Sequence, residues 1–560
     1  MHESVDLHEV SVGSQSYLDD PAHPVLSSEI LDRLQSYGQE MYSTGDSLLF
    51  SRGDRSLPLF IIQKGSLEVF EEDREGNRVV VATLGVGQFT GELNLWNDRA
   101  CLVSCRVRQN SHLRVIDREG LGRLLRAYPM IADTLLRASM IRRSLLVRAG
   151  RAGVTVIGDK RAAGTVTIQK FLVRNSYPHR LLDVGSDEGD GSFATAISFE
   201  PSELPIVVFP DGRALRCPAL LTLAEELGIL ESICEEIFDV AVVGSGPAGL
   251  AAAVYAASEG LKTVVFDSMA PGGQAGASSR IENYLGFPTG ISGQELAHYA
   301  QIQAEKFGAR FAIPRQVRAL GREAATLSIM LDCGRHVISR AVVIATGARY
   351  RKLDLANFER FEYQGIHYAA TAMEAALCGH TDVVVVGSGN SAGQAALFLA
   401  ETARRVYLLT RGDLLGETMS DYLVRRISST SRISVLTQTE ISSLDGDLRL
   451  RSVSWINRLT GHENISAIEN IFVMIGAVPS TGWLSGLVQQ DKNGFVCTGS
   501  AVESSFVYGT SEPGVFAVGD VRAGSIKRVA SAAGEGSAVI SEIHRYFAAK
   551  PASLVKAAVA

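Results

Sequence analysis

The sequence predicts a multidomain α/β chain. It opens with an N-terminal β-roll closed by helices, followed by a small α/β domain. Two doubly wound α/β domains built from βαβ units come next, the second inserted into the first. Three observations predict this. The chain has 560 residues, more than one core accommodates. Its first part runs in short β-rich segments separated by glycine turns. From Phe238 onward it turns Gly- and Ala-rich and contains an internal repeat of strand, glycine turn and helix.

Composition narrows the function classes. Apolar residues make up 46% and charged residues 21%, the balance of a soluble globular protein. Net charge is −7 with no dense Lys/Arg stripe, which argues against nucleic acid as a partner. No apolar run reaches the ~18–20 residues that cross a bilayer. The first twenty residues are polar and acidic, unlike a secretory or transit leader, so the expected compartment is the cytoplasm, with no membrane partner. Seven cysteines are scattered and none forms a C-x-x-C; the 11 histidines show no paired spacing, so no metal site is expected.

Residues 1–26 read as a mobile tail. Residues 27–150 carry the β-runs SLLF, LPLFIIQKGSLEVF, RVVVATLGVGQF and CLVSCRVRQNSHLRVID, then helical periodicity from Asp117. Residues 154–230 read as strand (VTVIG), helix (TIQKFLVRN), strand (HRLLDVG), a hairpin turning at Asp211-Gly212, and a closing helix.

The first nucleotide loop follows the strand DVAVV. Gly244, Ser245, Gly246, Pro247, Ala248 and Gly249 lead into a helix, and a second strand ends in Asp267. Gly244 makes the tight turn, Gly246 lets the backbone approach a pyrophosphate, and Gly249 permits close helix–strand packing. The helix N-terminus faces the phosphates and Asp267 can accept from ribose hydroxyls. The second loop repeats the pattern after DVVVV with Gly387, Gly389, Asn390, Ser391 and Ala392. Its second strand ends at Arg411, not at an acid. That favours NADPH, through a 2′-phosphate, with NADH left open; the alternative is a solvated loop arginine. Two Rossmann-like folds in one chain imply two dinucleotides and hydride transfer between them.

With these motifs in hand, residues 238–546 resemble bacterial low-molecular-weight thioredoxin reductases, within the pyridine nucleotide-disulfide oxidoreductases. PGGQ at 271–274, including Gly273 and Gln274, and RIENYLGFP at 280–288, including Asn283, match segments that wrap the flavin in that family. Ala345, Thr346 and Gly347 close the first half of the FAD domain. GVFAVGD brings Gly519 and Asp520, the latter implied on the ribityl chain. Lys527, Arg528 and Val529 fall where the family contacts the isoalloxazine ring. The resemblance implies an FAD domain at 236–351 and 471–548, an NAD(P)H domain at 352–470, FAD and NADPH as cofactors, and a homodimer.

The resemblance breaks at the redox dithiol. Where the family carries Cys-Ala-Thr-Cys, this chain has Ala369 and Ala372 at the two sulfur positions. Thiol–disulfide exchange needs a thiolate, which alanine cannot supply. Cys378 follows six residues later as a single thiol, expected to be buried and structural. His367 and Tyr368 precede this segment and are candidates to contact an electron acceptor whose identity stays open.

The N-terminal regions resemble families as well. Residues 27–150 are similar to cyclic-nucleotide-binding domains through Gly91, Glu92 and Leu93 and through Arg99 and Ala100. The resemblance implies a glutamate on a ribose hydroxyl and an arginine on the phosphate of cAMP or cGMP, although the Glu92–Arg99 spacing is short and Cys101 replaces the usual hydroxyl residue. Residues 154–230 resemble a thioredoxin or glutaredoxin fold without its cysteines. RNSYPH at 174–179 is expected at the helix start that would carry them, with Leu204-Pro205 as the family's proline.

Overall fold

The computed structural model describes residues 20–549 except 73–75, 92–94, 96, 98, 150–151, 161, 185–199, 232, 234–236, 279, 363, 369, 371, 418, 448 and 485. The chain divides into two compact units, Met1–Gly153 and Val154–Ala560. Most of the expected tail lies outside the described residues.

The first unit is an antiparallel sheet in which strands Gln39–Ser43, Ser104–Ile116, Leu59–Glu72 and Arg78–Leu84 are neighbours in that order, with Leu48–Phe50 also on Ser104–Ile116. Its inward face carries Phe60, Ile62, Leu67, Cys105, Val107 and Leu113, all buried. Helices Arg118–Ala127 and Pro129–Ala149 follow, the first started by Asp117, whose side chain accepts from the Gly120 N–H. Helix Ser28–Leu34 and strand Gln39–Ser43 add to the elements expected here. The short QEMYS run carries no strict alternation, so it did not stand out.

The second unit starts with a four-stranded sheet in the order His179–Asp183, Val154–Gly158, Ile206–Val208, Ala214–Arg216. The first pair is parallel and the others antiparallel. Helix Ala163–Arg174 joins the parallel pair, and the cis Leu204-Pro205 bond precedes Ile206–Val208. One expectation is corrected. Residues 174–179 run from the last residue of helix Ala163–Arg174, through its C-cap Asn175, to the start of strand His179–Asp183, and so lie at the helix's end, not its start. The turn facing Pro205 is the one around Gly158 and Gly164, where an added Cβ would come within 3.3 and 2.9 Å of the proline ring.

Next comes a seven-stranded sheet whose parallel core joins Arg310–Ala312, Thr263–Phe266, Phe238–Val243 and His336–Ile344, with Val515–Ala517 returning from far along the chain. These strands are almost entirely buried, as a parallel sheet covered on both faces requires. Helix Pro247–Ser258 is built of small residues, so helix Val529–Ala549 packs tightly on it: a Cβ on Gly536 would sit 2.1 Å from the Ala248 carbonyl oxygen.

The inserted domain has a five-stranded parallel sheet in the order Ile366–His367, Ile471–Val473, Asp382–Val386, Arg405–Leu409, Ile433–Leu436. Strand Ile471–Val473 therefore belongs to this domain, which extends past the boundary expected at 470. The chain crosses between the two sheets through the antiparallel pair Ala348–Tyr350 and Ala477–Pro479.

Candidate functional site

Both glycine loops stand at the carboxyl ends of buried parallel strands, where ligands of open α/β sheets bind. In the first loop, Gly244 has φ +103, and a Cβ there would lie 2.3 Å from the Ala345 carbonyl oxygen. Gly249 would place its Cβ 1.9 Å from the Gly244 carbonyl oxygen. Gly246 differs: its φ is −70 and its only neighbour within 4 Å would be Gly273 Cα at 3.8 Å. This glycine leaves open space, not strain relief, which is the cradle a pyrophosphate needs. The second loop repeats the division of labour. Gly387 has φ +144 with the Met474 carbonyl oxygen 2.4 Å from a virtual Cβ, whereas Gly389 has nothing within 4 Å.

The two loops open on one cavity of about 940 Å³. Gly244, Ser245, Gly246, Pro247, Ala248 and Asp267 form one wall, with Gly273 and Gln274 beside them. Ala345, Thr346 and Gly347 line the next stretch, and Asp520, Arg528 and Val529 complete this side of the cavity. From the second loop Ser391 reaches the cavity, with Gln394 and Phe398 of its helix. Gly249 and Gly519 stand behind this surface as packing residues. Gly519 donates its N–H to Glu535 (2.7 Å), and a Cβ on it would come within 2.8 Å of the Ala248 Cβ. Asn283 is exposed and outside the cavity lining, where Arg280 and Glu282 stand instead. Asn390 accepts from the Ser420 N–H (2.7 Å) and Ala392 is buried, so both brace the second loop. Arg411 is exposed and outside the lining; Arg426 lines the cavity and pairs with Glu282 at 3.1 Å.

Asp267 carries a second task. One carboxylate oxygen accepts from the Ser245 N–H and hydroxyl (3.0 and 2.7 Å); the other accepts from the N–H groups of Met269 and Ala270 (3.0 and 3.3 Å). It thereby ties the glycine loop to the segment after its own strand. Burial pushes the Asp520 carboxyl above the usual carboxylate range, with Glu535 adding to the effect and Lys527 opposing it.

Around the dithiol positions, Ala369 lies outside the described residues and Ala372 begins the short helix Ala372–Leu377. Cys378 is fully buried, its Sγ directed at the Glu374 carbonyl (3.1 Å), and burial pushes its thiol up to about 12. His367 is buried against Asn470, 3.0 Å from its side-chain oxygen, and burial lowers its pKa. It is not part of the cavity lining. Tyr368 is, and its hydroxyl donates to Glu362 (2.8 Å), which also pairs with Lys352 (2.7 Å). Tyr368 was expected here, whereas its partners Glu362 and Lys352, together with Arg426 and Glu535, lie outside any local motif and carry no sequence signal.

In the first unit, Glu92 and Leu93 lie outside the described residues. Gly91 has φ +106 and its carbonyl accepts from Arg142 of helix Pro129–Ala149 (2.7 Å). Arg99 is buried, with its backbone N–H on Asn97; Ala100 is partly buried, and the Cys101 thiol donates to the Ser51 carbonyl (3.0 Å).

The model of the pyridine nucleotide-disulphide oxidoreductases matches residues 238–536, more than half of the 560-residue chain. The chain belongs to the pyridine nucleotide-disulphide oxidoreductases. A cyclic nucleotide-binding domain model matches residues 40–128 of this oxidoreductase. It is 34% identical over 317 residues to a thioredoxin reductase of Mycolicibacterium smegmatis, covering 57% of this chain and 99% of that one. It is 34% identical over 303 residues to a thioredoxin reductase of Treponema pallidum, covering 54% and 95%. The crystal structure of Lactococcus lactis thioredoxin reductase in its FR conformation superposes with a TM-score of 0.51 at 29% identity, covering 55% of this chain and 98% of that chain. The oxidoreductase uses FAD and NADPH, and a shared cavity lined by Gly246 of the first loop and Ser391 of the second fits the two groups. Among the described residues no helix is long and apolar enough to cross a membrane, and no cluster of His, Cys, Asp and Glu is suited to a metal ion.

Proposed function

We propose that this enzyme oxidises NAD(P)H at its FAD and delivers the electrons from the flavin straight to an external acceptor, without an internal dithiol. The observation that carries this is the shared cavity: Gly246 of the first loop and Ser391 of the second face one space, and among the described residues no cysteine lines it. Bound FAD supplies the hydride-transfer centre. Gly246 and the N-terminus of helix Pro247–Ser258 receive the pyrophosphate, and Asp267 holds the loop around it. Tyr368, Glu362 and Lys352 form a hydrogen-bonded chain on the cavity wall that can hold a proton and orient an acceptor. The buried thiol of Cys378, with its raised pKa, speaks against a relay through that residue.

Acceptors compatible with this reading are a small-molecule disulfide, a quinone, a ferredoxin-like protein or oxygen. The small domain serves as a thioredoxin-like structural element without active-site cysteines, and the assembly is a cytoplasmic homodimer. The N-terminal domain binds cAMP or cGMP and biases the enzyme between conformations through differential affinity, a role supported by the family match at 40–128 and the buried Arg99. The test is NADPH consumption by the full chain with a panel of these acceptors and with thioredoxin. Turnover near ~10 s⁻¹ with a non-thiol acceptor is expected; rates below ~0.1 s⁻¹ with every acceptor sink the reading in favour of a flavin-bound sensor.

A further inference from the structure

The small domain reaches into the flavin site at the end of helix Ala163–Arg174. One terminal guanidinium nitrogen of Arg174 shares its two N–H groups among three backbone carbonyls: Ala270 at 3.2 Å, Pro271 at 3.1 Å and Gly273 at 3.0 Å. The adjacent Asn175, buried at the helix C-cap, donates to the Met269 carbonyl at 3.2 Å. These acceptors form the turn that Asp267 holds from the other side. The turn needs glycine at two consecutive positions, with φ +102 at Gly272 and +52 at Gly273. Gly272 donates to the Ser245 carbonyl at 2.7 Å, and a Cβ on Gly273 would come within 2.9 Å of Gly246 Cα. The path from Arg174 to the glycine that cradles the pyrophosphate is thus two contacts long.

Arg174 also lines the cavity itself. Its positive charge therefore faces the space that takes an anionic dinucleotide, where a cation attracts the ligand as well as bracing the loop. The residue lies outside the span 238–536 that the family model matches, so the family match does not account for it. Sequence distance hides it: its carbonyl partners are 96 to 99 positions away.

We propose that Arg174, with Asn175, makes the small domain a working part of the FAD site, as positioning residues that fix the turn 269–273 and set how tightly FAD is held. The domain then has a task that needs no sulfur chemistry. The inference rests on FAD occupying the cavity beside Gly246.

The test uses the full chain stripped of flavin and titrated with FAD, following flavin fluorescence. The charged donor that two N–H groups share among three carbonyls is lost in Arg174→Ala, so the FAD dissociation constant is expected to rise roughly 10- to 100-fold. Its dependence on salt should also weaken, because a cation near the phosphates is gone. Arg174→Lys should recover part of the affinity and the salt dependence. A merely structural role would move thermal unfolding of the flavin-free protein while leaving the salt dependence of FAD binding unchanged, and that result overturns the proposal. So does an Arg174→Ala dissociation constant within about twofold of the parent. If alanine impairs folding, Arg174→Gln, a shorter neutral donor, decides by the same criteria. Failure of the parent chain to bind FAD at all would instead remove the assignment of the cavity.

Discussion

Alanine at Gly246 and at Gly389 should disable one nucleotide site each while leaving the fold intact. At Gly389, φ is −86 and nothing lies within 4 Å of the added Cβ; at Gly246 the only neighbour is Gly273 Cα at 3.8 Å. Neither position needs glycine for the backbone, so the substitution costs the flavin-free protein nothing in contacts. Reduced freedom of the unfolded chain should even stabilise it by about 0.4–1 kcal/mol. The ligand meets the opposite situation. A methyl group enters the space that the phosphates approach, at an overpacking cost of about 1–3 kcal/mol. Displacing the phosphate from a backbone N–H removes a charged hydrogen bond of about 1.5–3 kcal/mol. Together these predict a loss of roughly two to four decades in affinity. Gly246→Ala should purify colourless, with cooperative unfolding at or above the parent's temperature. Gly389→Ala should purify yellow and fail to be reduced by NADPH, while dithionite still reduces it. Gly249→Ala is the contrast, because its Cβ would strike the Gly244 carbonyl oxygen at 1.9 Å and the fold itself should suffer. A yellow, NADPH-reducible Gly246→Ala protein would refute the reasoning.

Cys378→Ser should leave NADPH turnover unchanged, and in the parent this buried thiol should be alkylated only once the protein unfolds; protection lost in the native state would contradict its raised pKa of about 12. Asp520 has a folded-state pKa raised by burial, so its contribution favours folding below the ordinary carboxylate range and is lost as pH rises through the raised value. Asp520→Asn should therefore raise the melting temperature of the flavin-free protein at neutral pH, with the difference from the parent shrinking in acid; a constant difference across pH would refute this. Saturating cAMP or cGMP, at about a hundred times its dissociation constant, should stabilise the N-terminal domain by about 2.7 kcal/mol; no shift in melting at millimolar ligand removes the nucleotide site.

The two nucleotide loops were legible because their chemistry is local: glycines at fixed offsets between a buried strand and a helix leave few other readings. The hairpin turning at Gly212, with φ +85, was legible for the same reason. The domain boundary expected at 470 stops short of strand Ile471–Val473 because its three apolar residues suit either sheet, and only pairing with Asp382–Val386 decides. Residues 174–179 were misplaced because helix Ala163–Arg174 begins without a side-chain cap at Ala162, so no start signal marked its true N-terminus. Arg174, Arg426 and Glu535 act through partners distant in sequence, and no pattern along the chain announces such contacts. Asn283 was read by position within a resemblance and Arg411 from its place after the second strand of the second loop, and both side chains stand outside the cavity wall.

Whether the flavin works without a protein dithiol is settled most directly by counting electrons. Anaerobic titration of the full chain with dithionite, followed at the flavin absorbance band near ~450 nm, reports how many two-electron equivalents each FAD-containing subunit accepts. The account predicts that bleaching is complete after one equivalent per FAD, with no lag and no thiols released. A requirement for two equivalents, with two new thiols appearing per subunit, would show a redox-active disulfide in series with the flavin and contradict direct transfer to an external acceptor.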